Sequence, residues 1–194
     1  MFANPDLVRW ENKYRSGTNP LPVEPKGEAE LVAWFFRQQG PGKKTSGLAM
    51  DVACGRGANA LYLASLGYKV VAVDGALAGV KSCQWSASHY ALAVHPVVMD
   101  LQQAVLPQGQ FDFISVIRYL ERSLITPLVD VLAPGGLLFF KTFNQRFLEQ
   151  KPHFPAEYVL KTGELSSWFK GWDVLATNEF GEDSSSFILV RKPV

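Results

Sequence analysis

The chain has 194 residues and a mass of 21.5 kDa, which is one domain or two at most. Hydrophobic residues make up 47% and charged residues 19%. That composition excludes a disordered chain, a collagen and a disulfide-stapled miniprotein, because a chain of this size buries about 70% of its unfolded surface. Basic side chains number 19 and acidic ones 18, leaving a formal net charge of +1 without the basic excess of a nucleic-acid-binding domain.

The two cysteines, Cys54 and Cys83, read as free thiols of a reducing compartment. The N-terminal stretch MFANPDLVRWENKYRSG lacks the apolar core of a signal peptide, and no apolar run approaches the roughly 18 residues that span a bilayer. The expectation is a cytoplasmic protein without a membrane segment.

In chain order, Asn4 and Pro5 open a short helix pattern. Trp10 and Tyr14 share one face of it, and Glu11 and Arg15 form a second pair at the same spacing. Ser16 to Gly27 is a proline- and glycine-rich loop, Glu28 to Gln39 an amphipathic helix, and Gly40 to Gly47 a second break. Strand and helix then alternate. Leu48 to Ala53 is a strand, Ala58 to Leu66 a helix, Lys69 to Asp74 a valine-rich strand and Ala76 to Ala91 a helix. His95 to Asp100 reads as a strand, Phe111 to Ile117 as another, and Leu120 to Leu132 as a helix. Pro134 to Gly136 turns into a strand from Leu137 to Thr142, followed by a loop from Asn144 to Glu157. A helix from Gly163 to Phe169 precedes two strands, Trp172 to Asn178 and Ser185 to Val190. The pattern predicts a doubly wound, Rossmann-like α/β sheet, mostly parallel, with helices on both faces and an antiparallel C-terminal edge. Residues 1–40 are expected to form a helical lid, and 48–194 the α/β core, of a single domain.

The most informative stretch is Asp51-Val-Ala-Cys-Gly55-Arg-Gly57, with Asp74 nineteen residues after Gly55. A strand, a Gly-x-Gly turn, a helix and an acid ending the next strand make a nucleotide-binding unit, in which the acid accepts hydrogen bonds from ribose hydroxyls. A dinucleotide would bring a pyrophosphate to the helix start, where Asp51, four residues before Gly55, opposes it. A cationic ligand portion suits that acid better. Asp100, read as ending the third strand, is placed to meet an adenine amine. No Gly-x-x-x-x-Gly-Lys-Ser/Thr occurs, which excludes a P-loop.

These residues resemble the class I S-adenosyl-L-methionine (SAM)-dependent methyltransferases. DVACGRG matches their first motif, Asp74 in VVAVDGA the second, and Asp100 in VVMDL the third. FDFISVI and LAPGGLLFFKTF match the two that follow. Trp10-Glu-x-x-Tyr14-Arg15, the RYLER segment and the stretch from Glu157 to Leu175 are similar to the small bacterial tellurite-resistance (TehB-like) methyltransferases. The cofactor-binding set that this resemblance implies is Asp51, Ala53, Gly55, Gly57, Asp74, Gly75, Ala76, Asp100, Leu101, Ile117 and Arg118, joined by Trp10 and Tyr14. SAM is the implied cofactor and S-adenosyl-L-homocysteine the product.

Methyl transfer needs alignment first, and a soft or ionised acceptor needs no general base. Arg118, Tyr119 and His153 are the candidates for acceptor-side catalytic work, and Arg118 or Arg122 for holding an anionic acceptor. Glu121 and Glu149 are the alternative ion-pair partners for either arginine. His89, His95 and His153 are scattered, so no metal is expected. The leading reading is an enzyme, monomeric or weakly dimeric, acting on a small molecule. The resemblance adds chalcogen oxyanions and thiol-like nucleophiles to the acceptors. An RNA or protein methyltransferase, a SAM-binding regulator without turnover and a nicotinamide oxidoreductase are the alternatives.

Overall fold

In a computed structural model, the described residues are 5–16, 22–39, 45–103, 105–106 and 110–194. The expected helix start at Asn4 lies outside them, as do part of the Ser16–Gly27 loop and most of the Gly40–Gly47 break. The chain falls into two compact units, residues 1–103 and residues 104–194. Among the described residues, seven strands follow the order β3-β2-β1-β4-β5-β7-β6. The sheet is mostly parallel, and only the last strand in sequence runs against its neighbours.

The first unit holds α1 (Pro5–Ser16), α2 (Ala29–Gln39), β1 (Leu48–Val52), α3 (Ala58–Ser65), β2 (Lys69–Asp74), α4 (Leu77–His89) and β3 (Val94–Val98). Every residue of β1 from Ala49 to Val52 is buried. Successive strand side chains point to opposite faces, so β1 is covered on both sides, as a central parallel strand must be. Asp51 is buried within that run at 2% exposure. Leu31, Met50, Leu61, Leu63, Val70 and Val73 form the apolar core around it. Phe35 of α2 meets Tyr62 and Tyr68 edge-on, which fastens α2 to the α3 side.

The strand expected over His95 to Asp100 ends at Val98 instead. Met99 donates its N–H to the Asp74 carbonyl at 2.9 Å, and Asp100 Oδ1 accepts the Gln102 N–H at 3.0 Å. Asp100 therefore belongs to a turn, where short acidic side chains bond the backbone two residues on. Pro96 lies inside β3 because β3 is the end strand of the sheet, where a missing N–H is tolerated.

The second unit holds β4 (Phe111–Ile117), α5 (Ile125–Val131), β5 (Leu132–Phe143), α6 (Arg146–Gln150), α7 (Glu164–Trp168), β6 (Asp173–Thr177) and β7 (Ser185–Arg191). The helix expected over Leu120–Leu132 is shorter and starts as a 3-10 turn, Arg122–Leu124. Pro127 explains this. In the first turn of α5 its missing N–H costs nothing, whereas in the interior of a longer helix it would break the ladder. The Pro134–Gly136 turn is absorbed into β5 as an irregular entry. Phe111 pairs with Leu132 and Phe113 with Leu137, and Gly135 takes a φ of 73° within the slack. The loop expected from Asn144 to Glu157 contains α6 and a 3-10 turn at Ala156–Tyr158. β6 and β7 form the expected antiparallel hairpin, and β7 also pairs antiparallel with β5.

Candidate functional site

The glycine turn between β1 and α3 is held in left-handed backbone at three positions: Ala53 at φ 56°, Gly55 at φ 55° and Gly57 at φ 90°. Glycine takes this region freely, while for Ala53 it is strained backbone of the kind concentrated at functional sites. Gly57 also has no room for a side chain, because a Cβ there would collide with Cys83 Sγ of α4. The Cys54 thiol donates to the Gly55 carbonyl at 3.7 Å, and the neighbouring Cys83 thiol, then burial and the nearby Asp51, push it well above its ordinary pKa. A protonated, half-buried thiol is a packing group rather than a nucleophile.

Asp74 ends β2 and ties the turn to the next helix. Its Oδ2 accepts the Gly55 N–H and its Oδ1 the Ala76 N–H, both at 2.8 Å. Burial raises its pKa, the two N–H bonds oppose the rise, and the Glu11 charge adds to it. A carboxylate has about four acceptor positions, so each oxygen keeps capacity for a hydroxyl donor. The Asp74–Gly75 corner lies beside the turn after β3: a Cβ on Gly75 would come within 3.4 Å of the Met99 carbonyl. Asp100 in that turn is half-buried and Leu101 buried.

The helix α1 covers this corner. None of its residues is fully buried, yet three of them reach the turn. A Cβ on Gly55 would sit 2.6 Å from the Tyr14 hydroxyl, and one on Gly79 would sit 3.1 Å from the Tyr14 ring. One on Gly75 would collide with Leu7. Glu11 Oε2 accepts the Ala78 N–H at 2.9 Å, at the start of α4. That bond, the Arg15 partner at 2.8 Å and Lys81 hold the Glu11 carboxyl below its usual range, against the effect of burial. Trp10 stacks on Tyr14 at 5.6 Å between centroids. Lys13 Nζ lies 4.1 Å from the Trp10 ring centroid. Burial, then the Asp74 charge, push the Tyr14 phenol up, so it remains a neutral donor.

Ile117, Arg118 and Tyr119 belong to the second unit. Ile117 closes β4 and is 8% exposed. Arg118 takes a φ of 57° and donates its N–H to the Lys141 carbonyl at 2.7 Å, which ends the strand in strained backbone. Tyr119 is half-buried and His153 exposed. Arg122 pairs with neither expected acid. Its Nε and Nη2 grip Glu164 at 2.6 and 3.0 Å, while Nη1 and Nη2 donate to the Glu157 and Val159 carbonyls. It is a strap on the segment before α7 rather than a free cation. At the end of β5, Phe143 and Phe147 stack 3.9 Å apart, and Phe154 meets both rings edge-on.

Four contributors escaped the sequence reading: Leu7 on Gly75, Glu11 on Ala78, Glu164 on Arg122, and Glu179. The buried Glu179 carboxylate accepts the N–H groups of Leu165 and Ser166 at 2.6 and 3.0 Å, and the Ser166 hydroxyl, thereby capping α7. Of these, only Glu11 carried a local signal, its spacing to Arg15.

Among the described residues, no helix is long and apolar enough to cross a membrane, and no cluster of three or more His, Cys, Asp or Glu residues could hold a metal. The family described as "Tellurite resistance protein TehB" matches residues 42–184. "Hemagglutinin 1" of Eikenella corrodens is 29% identical over 137 residues, 67% of this chain and 45% of that protein. The "Ubiquinone biosynthesis O-methyltransferase" of Xanthomonas campestris pv. campestris is 27% identical over 143 residues, 62% of this chain and 59% of its own. The chain thus spans about half the length of the curated relatives it matches. In fold it is similar to TehB from Haemophilus influenzae, with a TM-score of 0.69 and 20% identity over 94% of this chain and 65% of that one.

Proposed function

Since the chain belongs to the TehB family of tellurite resistance proteins and has the fold of class I SAM-dependent methyltransferases, we propose that it transfers a methyl group from SAM to a small-molecule acceptor. The observation that carries this reading is the Asp74 carboxylate, which fastens the Gly55 and Ala76 amides and keeps acceptor capacity on both oxygens. That is the chemistry a ribose diol needs. The buried acid Asp51 beside the turn suits an ammonium or sulfonium and opposes a pyrophosphate. The donor set therefore fits SAM.

When bound, SAM supplies a methyl group already activated by its sulfonium. The chain's part is to bind and orient. Asp74 takes the ribose hydroxyls, with Gly75 and Ala76 beside the adenine and Asp100 and Leu101 flanking it. Asp51, Ala53, Gly55 and Gly57 receive the methionine portion. Trp10 and Tyr14 close the site as part of a lid formed by residues 1–40, over a core of residues 48–194 that works as one domain. Ile117 and Arg118 face the reacting end. Arg118, Tyr119 and His153 remain the candidates to meet the acceptor. With a chalcogen oxyanion or a thiol-like nucleophile as acceptor, alignment suffices and no base is required. We assign the protein to the cytoplasm as a monomer or weak homodimer, with neither nucleic acid nor membrane as partner.

The test is calorimetric titration with SAM, S-adenosyl-L-homocysteine and NADH, followed by release of S-adenosyl-L-homocysteine with selenite, tellurite and small thiols. Binding of the two sulfur cofactors alone, with release driven by one of these acceptors, is the expected result. No binding of either would end the reading. Binding without release to any acceptor would favour a regulator over an enzyme.

A further inference from the structure

Within the second unit, a cavity of about 160 Å³ opens where β5 ends against the start of β7. At roughly 30 Å³ per water it has room for about five waters, or for one small polyatomic anion. Asn144 and Arg146 line it from the exit of β5, and Lys161 and Thr162 from the segment before α7. The parallel bridge between Asn144 and Leu160 holds these two walls side by side. Ser186 of β7 and Glu179 lie across from them. Strand β5 separates the cavity from β4, whose end carries Ile117 and Arg118.

The electrostatics of this cavity are decided by which charges are already engaged. Glu179 spends its carboxylate on two α7 amides and a hydroxyl. Glu164 spends its own on Arg122 and on the Lys161 amide. Asp183 accepts from Asn178 at 3.2 Å. Among the described residues, neither Arg146 nor Lys161 forms an ion pair; Arg146 uses only its backbone N–H, on Asn144 Oδ1. The lining thus carries two cations against one carboxylate, Glu179, whose oxygens are taken up by neutral donors, and it keeps a net positive charge. We propose that this cavity binds a small anion, a carboxylate or tetrahedral oxyanion, with Arg146 gripping it through its planar fork and Lys161 as a second point charge. The proposal is independent of the methyl-donor reading. The anion is either a free ion or an acid group carried by the acceptor.

The probes are sulfate, phosphate and malonate, titrated into the full chain at constant ionic strength against chloride and followed by amide shifts of Gln145, Thr162 and Gly181. Saturable shifts are expected, with affinity weakened about tenfold in Arg146→Gln and in Lys161→Gln, and lost in the double variant. SAM affinity should not change in any of the three. Non-saturating shifts matching those of chloride, or a double variant that saturates like the parent, would overturn the proposal. An acceptor whose KM rises about tenfold in Arg146→Gln, at unchanged kcat, would identify the anion as part of the acceptor. Unchanged acceptor kinetics with lost sulfate binding would identify a free ion. Failure of SAM binding in the parent would end the methyltransferase reading and leave the anion titration standing.

Discussion

Glu11 Oε2 accepts the Ala78 N–H at 2.9 Å, so a side chain of the first helix satisfies an orphan amide at the start of the fourth. The contact joins residues 67 positions apart and sets α1 over the glycine turn. Glu11→Ala should loosen α1 and speed tryptic cleavage at Arg9, Lys13 and Arg15, while the fold of the rest persists. The pH dependence has a defined sign. The Glu11 pKa is lowered, so its contribution is present above the unfolded carboxylate value and lost only as pH falls through the lowered one. Hydrogen exchange of α1 amides, corrected for intrinsic rates, should be flat between about pH 7 and about pH 5. A rise across that window would contradict the contact.

Asp74 gives the opposite sign. Burial raises its pKa, so its contribution to stability is full below the unfolded carboxylate value and is lost as pH rises through the raised one. Cofactor binding runs the other way, because protonation removes an acceptor position. SAM affinity measured by calorimetry should therefore begin to fall, on acidification, above the ordinary carboxylate range, while the protein itself gains stability. Asp74→Ala should weaken SAM by roughly 1.5–3 kcal/mol, the range for a hydrogen bond to a charged group.

Gly55→Ala meets two separate obstacles. Left-handed backbone costs an alanine roughly 1–2 kcal/mol, and the new methyl group would sit 2.6 Å from the Tyr14 hydroxyl. Adding Tyr14→Phe removes the second obstacle and leaves the first. The double variant should regain part of the lost stability in thermal unfolding, and the non-additive remainder measures the contact. Strict additivity would mean that Tyr14 does not rest on the turn.

Arg122→Lys keeps the charge and loses the fork. The pair with Glu164 is 39% exposed on its arginine side, so the ion pair itself contributes at most about 1 kcal/mol. The larger loss is of the donors to the Glu157 and Val159 carbonyls. Faster proteolysis between Glu149 and Glu164, with little change in SAM affinity, is the expected outcome. A large loss of SAM affinity would return Arg122 to the binding site.

Cys54 and Cys83 should both resist iodoacetamide at neutral pH in the folded protein and react once it is unfolded: the Cys54 thiol is held protonated, and Cys83 is out of reach of the reagent. Rapid labelling of the native chain, read by intact mass, would contradict that.

The strand Lys69–Asp74 was legible to the residue, because an unbroken valine-rich run closes on an acid and nothing competes. Asp100 was misplaced by two residues, since no periodicity marks where a half-exposed end strand hands over to an Asx-type turn. The helix α5 is shorter than the Leu120–Leu132 expectation because Pro127 fixes where it begins. The bonds from Glu11 to Ala78, Arg122 to Glu164 and Glu179 to α7 join distant positions and leave no pattern in the chain. The glycines mark where the turn lies, but nothing in their spacing shows that Tyr14 and Leu7 fill the space beside them.

The margin of the sheet at β3 exposes Val97 and Val98, an apolar strip of the kind that recruits further strands and grows into fibres. Pro96 removes one donor from the row that an incoming strand would need. At the opposite margin, the slipped register of β6 between Val174 and Ala176 spoils the template in another way. The proline within β3 is thus a guard against uncontrolled growth of the sheet, and replacing it with valine would trade a tidier strand for a stickier surface.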